Sequence, residues 1–323
     1  MRRIPLGRGT TWVTELSLGA AGLGNLFTAV GDLQAHEALE AAWNCGIRSF
    51  DTAPHYGLGL SERRLGEALV GRPRHAFTVS TKVGRVLEPA SGEGGDDLAN
   101  GFAVPATHRR VWDFSAEGVL RSLESSLKRL GLDRVDTVYL HDPDDHARHA
   151  LAEAYPALER LRAEGVVDAI GIGTNQTPLA TRFVRETDID VVLLAGRYSL
   201  VDRTGADELL PEAERRGVSV VVGGVFNSGL LADPRPGATF DYAAAPQALL
   251  DHARRLETAC AAHGVPLRAA AARFPLRHPA VAAVLLGLRH PDEVLDAALQ
   301  FTRAIPDGLW EDLAAIGSRA SVG

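Results

Sequence analysis

Cysteine is scarce: Cys45 and Cys260 are the only two in 323 residues. Two thiols cannot staple a chain this long, which points to a reducing cytoplasm rather than a disulfide-dense secreted scaffold. Excess positive charge is also missing. With 34 Lys and Arg against 41 Asp and Glu the net charge is −7, so nucleic acid, whose phosphates demand a basic face, is not an expected partner. Long apolar runs are absent as well. Val191–Ala195 and Val281–Leu286 fall far short of the roughly 18 residues a membrane span needs, and suit buried strands instead. Met1-Arg2-Arg3 is basic, but Pro5, Gly7, Arg8 and Glu15 deny it an apolar neighbour segment, so no secretory signal is expected.

What the chain has in quantity is glycine (33) and proline (17), as a fold of many short elements needs. A length prior suggests two domains, but barrels of alternating strands and helices reach this size as one. The dominant pattern is that alternation. Leu16–Leu23, Arg48–Ala53, Phe77–Val83, Thr137–Leu140, Ala169–Gly173, Val191–Ala195, Val218–Val222 and Val281–Leu286 read as strands. Helical patterns lie between them, near Gln34–Cys45, Ser61–Val70, Leu151–Leu161, Asp207–Arg216 and Pro246–His263. Ser115 is placed to cap a helix whose stripe is Leu120, Leu123, Leu127 and Leu130, and Gly131 to end it. Thr177-Pro178 reads as a cap with proline at the first helical position.

About eight strand–helix units is the number a closed parallel barrel requires. An open doubly wound sheet competes, but Gly19-Ala-Ala-Gly22-Leu-Gly24 is wrongly spaced for a dinucleotide fingerprint and Gly171-Ile-Gly173 lacks the third glycine. The expected fold is one (β/α)8 TIM barrel spanning 1–323. Two segments break its rhythm, 85–113 and 226–245, and both would emerge at the C-terminal mouth where such barrels build their sites. Trp112, Phe114, Phe226 and Asn227 are the candidate pocket-lining residues there. Gly92–Asn100, with nothing apolar to dock, reads as a surface insertion.

Polar residues stand at successive strand ends: Asp51, Tyr56 just beyond it, Lys82 and His141. Singly they mean little, since Asp caps helices, Tyr packs loops, Lys snorkels and a lone His is commonly a core residue. Together their chemistry interlocks. A phenol with an ordinary pKa near 10 is a poor acid–base group at neutral pH. An ammonium beside it would favour phenolate, a carboxylate would hold the ammonium, and a histidine would orient a carbonyl oxygen. Nearby, His141-Asp-Pro-Asp144-Asp145-His146-Ala-Arg-His149 offers metal-ligand types. Capping acids and a solvated His149 account for it better, and no metal site is assigned. Cys45, late in a helix, reads as core.

The chain resembles the aldo-keto reductase superfamily over nearly its whole length. The residues that carry the resemblance are Gly46–Gly57, Ser61-Glu62 with Leu65-Gly66, Ser80–Gly84 and Leu127–Asp142. It implies that Asp51, Tyr56, Lys82 and His141 form a catalytic tetrad with Tyr56 as proton donor or acceptor. Gly22–Phe27, Tyr139–His146, Gly196–Leu200 and Phe226–Leu231 look most like the aldose and L-fucose dehydrogenase branch, which includes pyridoxal dehydrogenases. The resemblance further implies NADP or NAD as cofactor, held by Thr174, Asn175, Gly229, Leu230, Gly287, Arg289 and Glu293.

Departures from the family pattern are Ala195, Gly223, Leu288, Glu293 and Ala297. They leave selectivity between NADP and NAD open: the resemblance implies that Arg289 meets a 2′-phosphate, whereas Glu293 would accept from adenine or a ribose hydroxyl, or repel that phosphate. The expected activity is interconversion of an alcohol, such as an aldose C1 hydroxyl, with a carbonyl. The expected partner is a small sugar or aldehyde, and no feature sets an oligomeric state. A weakly catalytic nucleotide sensor and a metal-dependent barrel hydrolase are the competing readings.

Overall fold

A computed structural model describes residues 1–90 and 94–317. Eight parallel strands close into a barrel: β1 (Leu16–Gly19), β2 (Ser49–Asp51), β3 (Thr78–Val83), β4 (Thr137–His141), β5 (Ala169–Thr174), β6 (Val191–Ala195), β7 (Ser219–Gly223) and β8 (Val281–Gly287). Each strand pairs with its chain neighbours, and β8 returns to β1 through Leu286↔Leu18. This is the single TIM barrel expected from the strand–helix rhythm. The strands are shorter than their apolar runs at the first two positions. β1 stops at Gly19 because residues 22–24 wind into a 3-10 turn.

Strand alternation sorts the side chains into two layers. Val138, Leu140, Ile170, Ile172, Val192, Leu194, Val220 and Val222 pack outward against the helices. Tyr139, Val191, Leu193 and Val221 turn inward with Leu6 and Ala283. An antiparallel hairpin, Arg3–Pro5 with Trp12–Thr14, leads into that inner cluster at Leu6. Parity therefore dictates where the strand-end groups point. Lys82 pairs with inward Tyr139, and His141 lies two residues beyond Tyr139 on the same face.

The surrounding helices are α1 (Asp32–Asn44), α2 (Leu60–Leu69), α3 (Ala116–Leu130), α4 (Tyr155–Ala163), α5 (Thr177–Glu186), α6 (Leu209–Arg216), α7 (Gln247–Ala262), α8 (Leu267–Arg273), α9 (Pro291–Thr302) and α10 (Asp307–Ile316). Ser115 caps α3 by accepting from the Gly118 N–H at 3.0 Å, and Gly131 ends it at φ 62°. The helix expected over Leu151–Leu161 is instead a π-turn at Ala150–Ala154 followed by α4. Pro156 explains the break: it has no N–H to give the carbonyl one turn back, and the wider turn absorbs the gap. α5 begins on Thr177 with no side-chain cap. No helix among the described residues is long and apolar enough to cross a membrane.

The 85–113 segment is a pair of hairpins. Arg85–Pro89 pairs antiparallel with His108–Trp112, and Asp96–Asp97 with Phe102–Pro105. Residues 91–93 lie outside the described residues. The expectation of a surface insertion over Gly92–Asn100 does not hold for Asp97, which is buried in a two-pronged ion pair with Arg110 at 2.6 and 2.7 Å. Across the mouth, 226–245 forms a small hairpin, Thr239–Phe240 with Ala243–Ala244. Its two-residue turn, Asp241 and Tyr242, has φ of 47° and 63°, the twist-matched turn of tight hairpins.

Candidate active site

Asp51 ends β2, and its carboxylate accepts from Lys82 Nζ at 2.5 Å and from Ser80 Oγ at 2.7 Å. Lys82 also donates to the Thr52 carbonyl at 3.0 Å. Burial works to lower the Lys82 pKa, but the Asp51 carboxylate and the Tyr56 phenol outweigh it and leave the amine above its ordinary value. It is an ammonium held in a sealed socket.

The Tyr56 ring lies over that ammonium, 4.7 Å from Nζ to the ring centroid. The turn carrying Tyr56 is fixed by Gly57, at φ 62°. A Cβ there would meet the Gly24 carbonyl oxygen at 2.2 Å, so the loops after β1 and β2 touch backbone to backbone beside the phenol. Burial pushes the Tyr56 pKa up; Lys82 pulls it down, and Asp51 and Asp142 push it up again. Lys82 thus acts in the expected direction, but burial wins and the phenol stays above its usual range.

His141 ends β4 at right angles to Tyr56, with ring centroids 5.9 Å apart. Burial, with Arg85 and Lys82 adding positive charge, holds its pKa well below the usual imidazole value, so the ring is neutral. Its Nδ1 is buried without a partner, while Nε2 faces an Asp142 oxygen at 3.6 Å. A proton on Nε2 leaves the fewest buried donors unpaired. The four strand-end groups therefore form one chain of contacts, Asp51 to Lys82 to Tyr56 to His141.

The pocket residues are brought together unevenly. Trp112 is exposed and stacks on Phe114 at 21° and on the Arg85 guanidinium at 4.3 Å. Phe114 is buried beneath it, pressed on Gly84, where a Cβ would meet the ring at 2.3 Å. Phe226 lines a separate cleft of about 680 Å³. Buried Asn227 donates to the Gly196 carbonyl at 3.0 Å and so braces the loop rather than the pocket.

That cleft runs from Ala21-Gly22 past Leu26, Phe27, Ser228 and Gly229 to Gly287, Arg289, Glu293 and Asp296. Thr174, Asn175 and Leu230 do not line it. Thr174 Oγ1 donates to Asp144 at 2.9 Å, Asn175 accepts from Gln176 at 2.9 Å, and the Leu230 side chain is in the core. Among the described residues no group of three or more His, Cys, Asp or Glu side chains is placed to hold a metal ion. His146 stacks on Trp112 and Phe114 at 5.2 and 5.5 Å.

The sequence model of the Aldo/keto reductase family matches residues 15–317. The chain belongs to the aldo-keto reductase family. It is 48% identical to a D-threo-aldose 1-dehydrogenase of Pseudomonas sp. over 94% of this chain and 93% of that protein. It is 42% identical to a pyridoxal 4-dehydrogenase of Microbacterium luteolum over 97% and 96%. Among solved structures it is similar to the holo form of an aldo-keto reductase from Bacillus halodurans, with TM-score 0.78, 26% identity and coverage of 99% and 97%.

As an aldo-keto reductase the chain is an NAD(P)-dependent oxidoreductase that interconverts alcohols and carbonyls. The cleft fits such a dinucleotide. A Cβ added at Gly229 or Gly287 would meet no atom within 4 Å, so these cleft-lining glycines leave room against bare backbone. Its far end carries two arginines, each matched by a carboxylate. Arg268 meets Asp296 at 2.8 and 3.0 Å, while Glu293 accepts the Arg289 backbone N–H at 2.9 Å and faces the Arg289 Nε at 3.8 Å. Residues given no site role from sequence complete this aldo-keto reductase mouth: His55, Arg85, Arg110, Asp142 and Tyr242. His55 sits edge-on to His141 at 5.6 Å, its pKa pushed down to about 2 by burial and by Arg85, Arg110 and Lys82. Charged neighbours of motif residues, such as Arg85 after Gly84 and Asp142 after His141, were the available signal.

Proposed function

We propose that this aldo-keto reductase oxidises the C1 hydroxyl of an aldose to the lactone, with Tyr56 as the proton acceptor. The observation that carries the reading is the Lys82–Asp51 contact at 2.5 Å beneath the Tyr56 ring, with neutral His141 facing the same space. A bound nicotinamide dinucleotide supplies hydride acceptance in oxidation and hydride donation in reduction. The chain's own residues handle the proton and the oxygen. Tyr56 takes the C1 hydroxyl proton as the carbonyl forms, and returns one when an aldehyde is reduced. Asp51 keeps Lys82 charged, and Lys82 stabilises the phenolate form of Tyr56. His141 donates from Nε2 to the substrate oxygen and fixes its place.

Gly229, Gly287, Arg289 and Glu293 would hold the dinucleotide along the cleft. NAD is favoured over NADP, because Glu293, 3.8 Å from the Arg289 guanidinium, and Asp296, paired with Arg268, offset the charges that would otherwise attract a 2′-phosphate. The 48% identity to an aldose 1-dehydrogenase supports the substrate class. A small neutral sugar or aldehyde is the partner, with no role for nucleic acid or membrane, and the cytoplasm is the place of action.

Reduced-nucleotide absorbance, followed with NAD and NADP separately against L-fucose, D-arabinose, pyridoxal and simple aldehydes, tests this reading. Turnover of an aldose with NAD, lost in Tyr56→Phe, is the expected result. An unimpaired Tyr56→Phe enzyme overturns the mechanism.

A further inference from the structure

The strand-end groups account for the reacting oxygen, but one more charged side chain stands within reach of it. Asp142 follows His141 in left-handed backbone, φ 43°, unusual for a residue other than glycine. Its N–H donates to the Gly173 carbonyl at 2.8 Å. In this conformation the carboxylate folds back over the mouth. One oxygen lies 3.6 Å from His141 Nε2, and the same oxygen pairs with the Arg85 guanidinium. Arg85 is pinned in turn under the Trp112 ring, and its Nε is buried without a partner.

Three ion pairs stand around the mouth, and they differ in access. Lys82–Asp51 and Arg110–Asp97 are sealed, with carboxylates 5% and 4% exposed, whereas Asp142 is 38% exposed. Asp142 is therefore the carboxylate among these pairs that a substrate can touch. An ionised carboxylate only accepts hydrogen bonds. A hydroxyl on the carbon next to the reacting one is the neutral donor such a group suits. Because Arg85 balances the charge, the subsite holds no net attraction for a phosphate or carboxylate substrate.

We infer that Asp142, set by Arg85, is a recognition subsite for the C2 hydroxyl of the sugar. It thereby selects 2-hydroxy substrates over their deoxy counterparts. The inference rests on the aldose reading above. Strained backbone at a functional mouth fits a carboxylate held for a ligand rather than for the fold alone.

D-Arabinose and 2-deoxy-D-ribose differ only in that hydroxyl, so the ratio of their kcat/KM values with NAD is the readout. The wild type is expected to prefer D-arabinose by about 100-fold or more, the scale at which a site built for a hydroxyl rejects its absence. Asp142→Asn is expected to cut that preference by about tenfold, chiefly through loss on D-arabinose. Arg85→Lys, which keeps a cation but not the planar pairing, is expected to lower it less. A wild type that treats the two sugars alike overturns the inference even if no variant folds. So does Asp142→Asn lowering both sugars by one factor, since a purely structural role would do that. If the wild type reduces simple aldehydes but oxidises no aldose, the aldose reading itself falls and this inference with it.

Discussion

The wall of the mouth built from 85–112 is locked by charge and packing. Arg110 grips Asp97 with two prongs and also donates to the His55 carbonyl at 2.8 Å, while Trp112, Phe114 and Arg85 stack in series. The wall built from 226–245 is held by backbone turns and by Leu230, Leu231 and Phe240 in the core rather than by buried ion pairs. Asn227, Ser228, Asp241 and Tyr242 all take positive φ, Thr239 and Tyr242 bond to Ser228, and Tyr242 reaches Phe27 through an exposed ring contact at 5.4 Å. The difference matches the task of each half. The reaction centre needs polar groups held to a fraction of an ångström in a dry site. The cleft half, proposed above to take the dinucleotide, must admit and release a long ligand, and a wall without buried ion pairs moves at lower cost.

The sharpest way to break this division is Tyr56→Phe. Turnover should fall by about 10² to 10⁴-fold, while the dinucleotide Kd from fluorescence titration stays where it was. A matching loss of dinucleotide affinity would mean that the halves are not separate.

Stability separates the walls next. Asp97→Ala strands a buried Arg110 and should cost about 3–5 kcal/mol in urea unfolding. Asp241→Ala, which breaks an exposed pair to Arg197, should cost no more than about 1 kcal/mol. Equal losses would erase the contrast.

The pH response should belong to the reaction centre alone. Tyr56 lies above its ordinary value of 10.0, so it is a phenol at neutral pH, and oxidation needs its phenolate. Oxidative kcat/KM should therefore rise with pH through the alkaline range, by about tenfold per unit below the pKa. His141, held far below 6.5, is already neutral and should add no inflection near that pH. The dinucleotide Kd should be flat over the same range.

The smallest effect is expected at the cleft. Glu293→Gln frees Arg289 and should improve NADP binding relative to NAD by at most about fivefold, the scale of an exposed pair. Turnover with the better dinucleotide should not change.

The barrel was legible because its signals are periodic and local: β-branched runs, Ser115 as a cap, Gly131 as a stop. Asp51, Tyr56, Lys82 and His141 were legible because strand ends of a barrel share one mouth. The features that escaped depend on partners far along the chain or on a single torsion. Asp97 sits in a glycine- and acid-rich run that looks solvated until Arg110, thirteen residues on, returns beside it by hairpin pairing. Asp142 reads as a loop acid, and only its left-handed φ brings it to His141. Side-chain direction is equally hidden: Leu230, expected along the cofactor cleft, turns into the core.

Lys82 has a consequence beyond proton transfer. It and Lys128 are the chain's only lysines, and Lys128 lies on the outer face of α3, paired with Glu124 at 2.7 Å. A neutral amine beside a carbonyl condenses to a Schiff base. An enzyme that makes and consumes carbonyl compounds keeps its one buried amine just beneath Tyr56, a single ring away from them, on every turnover. Asp51 keeps that nitrogen protonated, so it has no lone pair with which to attack. The contact that tunes the phenol also spares the enzyme from covalent capture by its own product.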